Sequence, residues 1–95
     1  MPKAYWIAQV TVTDPEQYAK YQAAAAVAFE KAPGRPLARA GRAVQLEGAG
    51  QPRNVVFEFD SLEAAESFYH SSAYAAARAL REGAAEVNIV VVEGL

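Results

Sequence analysis

Ninety-five residues carrying nine Lys and Arg against eleven Asp and Glu give a net charge of -2. That bounds the chain to one domain, residues 1–95, without the basic face that nucleic acid or an anionic membrane selects. There is no cysteine, which excludes disulfides, thiolate nucleophiles and thiolate metal sites. The start, MPKAYWIAQV, has no basic segment leading into a long apolar core, and no apolar run reaches bilayer-spanning length. A cytoplasmic globular domain is expected.

Ala4 to Thr13 reads as the first strand. Trp6, Ala8, Val10 and Val12 form one phase and Tyr5, Ile7, Gln9 and Thr11 the other, both apolar near the middle. Asp14-Pro15-Glu16-Gln17 then opens a helix: Asp14 is a good N-cap, Pro15 suits the first helical position, and Gln17 completes a capping box. The helix is expected to run to about Lys31 with Tyr18, Tyr21, Ala25, Ala28 and Phe29 on one stripe, ended by Pro33-Gly34.

Leu37 to Glu47 reads as a second strand, with Gly41 marking a bulge, and a short Gly-containing turn leads into a third strand at Arg53. In that hairpin Arg42 falls near Glu58, with Arg39 further along. Val55, Phe57 and Phe59 recur every second residue. From Leu62 the spacing turns helical, with Asp60 and Glu63 as a capping box. Ser72 is the expected cap of a further short helix, which carries Ala73, Ala77, Leu80 and Ala84 inward and Arg78, Arg81 and Glu82 outward, and stops at Gly83. Val87 to Glu93, β-branched almost throughout, is the last strand.

The order β-α-β-β-α-β predicts an α+β, ferredoxin-like fold, with a four-stranded antiparallel sheet and both helical connections on one face. The other face would then expose Ile7, Val56, Val90 and Val92, an apolar patch that monomers seldom tolerate. A homodimer with its sheets packed face to face is the economical expectation.

The segments AYWIAQVTVTDPEQY, GRPLARAG, PRNVVFEFDSLEAAESFYHSSAY and AARALREGAAEVNIVVVEG resemble, in order and spacing, the family known as domain of unknown function 1330, within the dimeric α/β-barrel superfamily. The resemblance covers nearly the whole chain. It implies a ferredoxin-like subunit and a dimer with a barrel-like core and a cavity beside the sheet. It implies no settled activity, since the superfamily includes cofactor-independent monooxygenases, muconolactone isomerases, haem-degrading enzymes and chlorite dismutases.

The chemistry-bearing candidates are polar residues set in apolar strands and aromatics on the helices. Arg39 is the candidate anion anchor; Gln9, Tyr21, Tyr69 and Tyr74 are candidate ligand contacts. Glu58 is the candidate proton carrier, if burial raises its pKa, and His70, the only histidine, a candidate base. Each has a structural alternative: an Arg–Glu ion pair, an aromatic core, a helix-end histidine. With one His and no Cys, no metal site or cofactor is expected. Ser71 and Ser72 beside His70 make no triad, and the Gly48–Gly50 turn leads to a strand and makes no phosphate loop. Two functions follow: a dimer that binds a small apolar or anionic metabolite, of cofactor-independent monooxygenase or isomerase type, or a non-catalytic sensing or structural module.

Overall fold

The structure, a computed structural model, describes residues 2–95. The elements are β1 (Ala4–Val12), α1 (Pro15–Lys31), β2 (Arg35–Arg39), β3 (Arg53–Phe59), α2 (Leu62–Tyr69), α3 (Ser72–Ala79) and β4 (Ala85–Glu93). The four strands form one antiparallel sheet in the order β2-β3-β1-β4, so the two longest strands, β1 and β4, pair along their full length. This is the ferredoxin-like α+β arrangement, with the second helical connection broken in two.

Register sorts the side chains. Trp6 lies opposite Phe57 and Val91, and Ala8 opposite Val55 and Ile89, all on the face that meets the helices. Tyr5, Ile7 and Gln9 point the other way, opposite Glu58, Val56 and Asn54 on β3 and Val92, Val90 and Asn88 on β4. The helix-side core is aromatic. Trp6, Phe57, Phe59, Phe68 and Tyr74 are buried, and Phe29 stacks on Phe57 with ring centroids 4.1 Å apart. The opposite face carries Val90 and Val92 at 56% and 46% exposure, beside Ile7 and Val56.

Helix starts depend on which side chain reaches a free N–H. Asp14 does so for α1, accepting from Gln17 N at 3.2 Å. For α2 the cap is Ser61, which accepts from Ala64 N at 3.1 Å, and not Asp60. The chain is still extended at Ser61, so Asp60 lies one residue too early and instead meets Lys3 Nζ at 3.3 Å. A one-residue shift in the opposite direction makes Ser71, not Ser72, the cap of α3. Gly83 closes that region with φ +75°, a conformation that a Cβ disfavours.

The second strand is the largest departure from expectation. It ends at Arg39 instead of Glu47, and its bulge lies between Pro36 and Ala38, not at Gly41. Ala40 adopts φ 55° while its N–H donates to Asn54 O at 2.8 Å, which turns the chain off the sheet. Gly41 to Gly50 are all exposed, including Val44 and Leu46 inside the expected strand. Alternating residues form a strand only where a neighbour offers hydrogen bonds, and β3 begins too late to offer any.

Urea melts check the caps. Ser61→Ala and Asp14→Ala should each lower stability by about 1 kcal/mol. Asp60→Ala, which removes only an exposed ion pair, should cost well under 1 kcal/mol.

Candidate functional site

Between α1 and the helix-side face of the sheet lies a cavity of about 540 Å³. Small residues make the room. Ala8 on β1 and Ala25 and Ala26 on α1 line it where larger side chains would have closed the layer, while α1 is held by α3 through close packing and by Gln17 Nε2, which donates to Leu80 O at 2.6 Å. Trp6, Phe29 and Phe57 give it an aromatic floor.

Its polar lining is dominated by donors. Arg39 enters from β2, its guanidinium 5.9 Å from the Phe57 ring centroid. Arg53, at the start of β3, lies 5.7 Å from the Tyr18 ring centroid, and its Nε is buried with no hydrogen-bond partner. Arg81, in the turn after α3, donates to Tyr74 Oη at 3.0 Å and lies 4.8 Å from the Tyr21 ring centroid. Tyr74 and Tyr21 share a hydroxyl–hydroxyl bond of 2.8 Å. The one carboxylate on the lining is Glu30. Among the described residues the ion pairs are Lys3–Asp60 and Arg35–Glu58, so none of the three cavity arginines is neutralised by a carboxylate.

Burial, with the neighbouring Tyr74 oxygen in support, pushes the Tyr21 phenol far above its ordinary value of 10.0. Burial also raises Tyr18, against the pull of Arg53. For Arg81 burial works against the charge, but the Tyr74 and Tyr21 oxygens outweigh it and the net shift is upward. The cavity therefore presents the neutral Tyr18 and Tyr21 phenols beside a firmly cationic Arg81.

Of the residues singled out from the sequence, Arg39, Tyr21 and Tyr74 meet in this cavity. Glu58 and Gln9 do not: both lie on the opposite sheet face. Glu58 pairs there with Arg35, not with Arg39 or Arg42, and accepts from Tyr5 Oη at 3.3 Å, while Gln9 Nε2 donates to Asn54 at 3.1 Å. The pairing follows from β2 starting early enough to place Arg35 directly opposite Glu58. Tyr69 and His70 lie along a second groove of about 470 Å³ beside β4. Tyr69 contacts Trp6 there and has the Arg78 guanidinium 4.4 Å from its ring centroid, and His70 is exposed at the end of α2. Among the described residues no group of three or more His, Cys, Asp or Glu is placed to hold a metal ion, and no helix is long and apolar enough to cross a membrane.

Arg53 was not singled out from the sequence, and Arg81, expected to face outward, instead lines the cavity, though each left a signal. Arg53 is in phase with Val55 and Phe57 and so shares their face. Arg81 follows Tyr74 by seven residues, about two helical turns, which puts both on one side.

The model for domain of unknown function 1330 matches residues 3–95. The chain belongs to that family. Solved structures share the fold at low sequence identity. A protein of unknown function from Rhodopseudomonas palustris is 18% identical, covering 99% of this chain and 83% of that one, with a TM-score of 0.75. A dimeric ferredoxin-like protein of unknown function from Thermobifida fusca is 16% identical over 98% of this chain and 92% of its own, at 0.67. SnoaB, a cofactor-independent oxygenase from Streptomyces nogalater, is 11% identical over 100% and 95%, at 0.64. No curated protein matches the sequence.

The raised Tyr21 fixes a sign. As pH rises past about 10, the unfolded chain loses this proton first, so stability is unaffected by the group below that pH and falls above it. Urea midpoints taken from about pH 8 to 11 should decline, and less steeply in Tyr21→Phe.

Proposed function

We propose that this protein is a homodimer whose α1–sheet cavity binds a small, flat, partly apolar anion. The observation that carries the reading is the set of Arg39, Arg53 and Arg81, three guanidiniums turned to one aromatic-floored cavity without a carboxylate partner among the described residues. Unpaired charge beside apolar walls is costly, and a bound anion relieves it. The volume of about 540 Å³ suits a metabolite of one to three rings.

Dimerisation is supported by the apolar patch of Ile7, Val56, Val90 and Val92 and by the dimeric description of the Thermobifida fusca neighbour. The likeness to SnoaB supports an oxygenase-type reaction that uses no cofactor. An isomerase-type proton shuttle finds less support, because Glu58 and His70 stand outside the cavity and only Glu30 could serve it. The same shortage of bases favours the second reading, a non-catalytic module that senses such an anion.

Two measurements test the proposal. In thermal melts, an aromatic carboxylate such as naphthoate should raise the midpoint by binding the native state. Arg39→Met should weaken that binding by about tenfold or more, the scale of a lost charge-assisted hydrogen bond. Ala25→Phe, which fills the cavity, should abolish it, and Glu58→Gln should leave it unchanged. Sedimentation equilibrium at micromolar concentration should give a dimer, and Val90→Asp a monomer, since a buried unpaired carboxylate costs several kcal/mol. A wild-type monomer, or naphthoate affinity untouched by Arg39→Met and Ala25→Phe, would overturn the respective half of the proposal.

A further inference from the structure

The three residues Tyr21, Tyr74 and Arg81 form a connected chain, and counting its protons shows what the chain has left to offer. The two phenols own two protons. One is spent in the 2.8 Å bond between them, whichever oxygen donates. The other remains free, and no further acceptor for it is present among the described residues. Arg81 donates into the same pair at Tyr74 Oη, and a donor bonded to that oxygen polarises the remaining O–H. Both hydroxyl-bearing residues line the cavity. The result is one strengthened O–H donor, backed by a fixed cation, facing a space floored by aromatic rings.

Such an arrangement favours a negatively charged oxygen over a neutral one. A carbonyl or phenol oxygen gains one hydrogen bond there; an enolate or phenolate gains that bond and the field of Arg81 at low local dielectric. We infer that the Tyr21–Tyr74–Arg81 chain is an oxyanion-stabilising subsite, so that the cavity takes an enolisable or phenolic ring and holds it as its conjugate base. This rests on the cavity reading proposed above and adds the substrate class. It also addresses the missing base: a subsite that lowers the ligand's own pKa lets the proton leave to solvent, without a dedicated carboxylate or imidazole.

The charged and titratable groups facing the subsite come from every wall. Helix α1 supplies Tyr18, Tyr21 and Glu30; the strands supply Arg39 and Arg53; α3 and the turn after it supply Tyr74 and Arg81. Three cations against one carboxylate leave the balance favourable to an anion. Tyr21 does not compete for the negative charge, because burial holds it neutral well beyond the range in which an ordinary enol or nitrophenol ionises.

The test is spectroscopic and needs no turnover. Para-nitrophenol changes colour on ionisation, so its bound phenolate fraction is read directly against its fraction in buffer at a pH below its own pKa. The wild-type protein should raise the phenolate-to-phenol ratio of the bound probe by tenfold or more. Arg81→Met should return the ratio close to that of free probe. Tyr74→Phe, which cuts the link between the cation and the hydroxyl pair, should lower it by several fold, and Tyr21→Phe should lower it least, because Tyr74 then keeps both its proton and its cation. A merely structural role for these residues would change affinity or melting temperature without this graded order. If naphthoate binds but bound para-nitrophenol ionises as it does in buffer, or if the ratio is the same in wild type, Arg81→Met and Tyr74→Phe, the oxyanion subsite is overturned while the cavity reading stands. If neither probe binds, both fall.

Discussion

The position of Trp6 governs the rest of the molecule. Its indole is 1% exposed at the centre of the sheet, with edge-on contacts to Phe29, Phe68 and Tyr74 and tilted ones to Phe59 and Tyr69. One ring therefore joins β1 to all three helices. Aromatic pairs of this kind contribute beyond the area they bury, and in a chain of this size there is little other core to share the task. Since Trp6 is large and Ala8, two residues on and on the same face, is small, the layer between sheet and helices is filled at one end and open at the other. The cavity is the space that this gradient of side-chain volume leaves.

The donors around that space are held by different means. Arg81 is fixed on both sides, by the Tyr74 hydroxyl and by the Tyr21 ring face, so its guanidinium is arranged before any ligand arrives. Arg39 is exposed and rests against Phe57 alone. The cavity thus has a rigid donor set at one end and an adjustable one at the other. Preorganised groups give the larger electrostatic return because no reorganisation is needed when charge develops.

Much of this was legible in the residues. Period-two and period-four spacing found β1, α1, β3 and β4, and the two apolar phases of β1 announced a sheet with two apolar faces. Asp14, with a proline behind it, located the start of α1, but Gln17 completes no capping box: its amide reaches Leu80 O, and the Asp14 N–H donates to Ala84 O. What failed was local. Asp60-Ser61 and Ser71-Ser72 each offer two adjacent cap candidates, and only backbone conformation decides between them. The run from Arg42 to Glu47 alternates as a strand should, yet whether such a run pairs depends on a distant neighbour. The partner of Glu58 was missed for the same reason: a strand that starts two residues early moves the facing arginine from Arg39 or Arg42 to Arg35. Of the site, Arg39, Tyr21 and Tyr74 were legible as polar or amphipathic groups in apolar settings. Arg53 and Arg81 were not, because an arginine at an element's end reads as solvated unless the cavity beside it is known.

The edge position of β4 carries a consequence for handling the protein. Its outer side is a nine-residue ladder of backbone groups with no strand beside it, and its charged residues, Glu86 and Glu93, stand near the two ends. Between them run Val87 to Val92, with Asn88 the only polar side chain. Native edges are normally guarded by an inward lysine, a proline or a pronounced bulge, and this one has none of these between its glutamates. Chains meeting in a concentrated preparation can therefore add edge to edge, extending the sheet without first unfolding. A lysine at a solvent-facing β4 position is the natural gatekeeper against such strand addition.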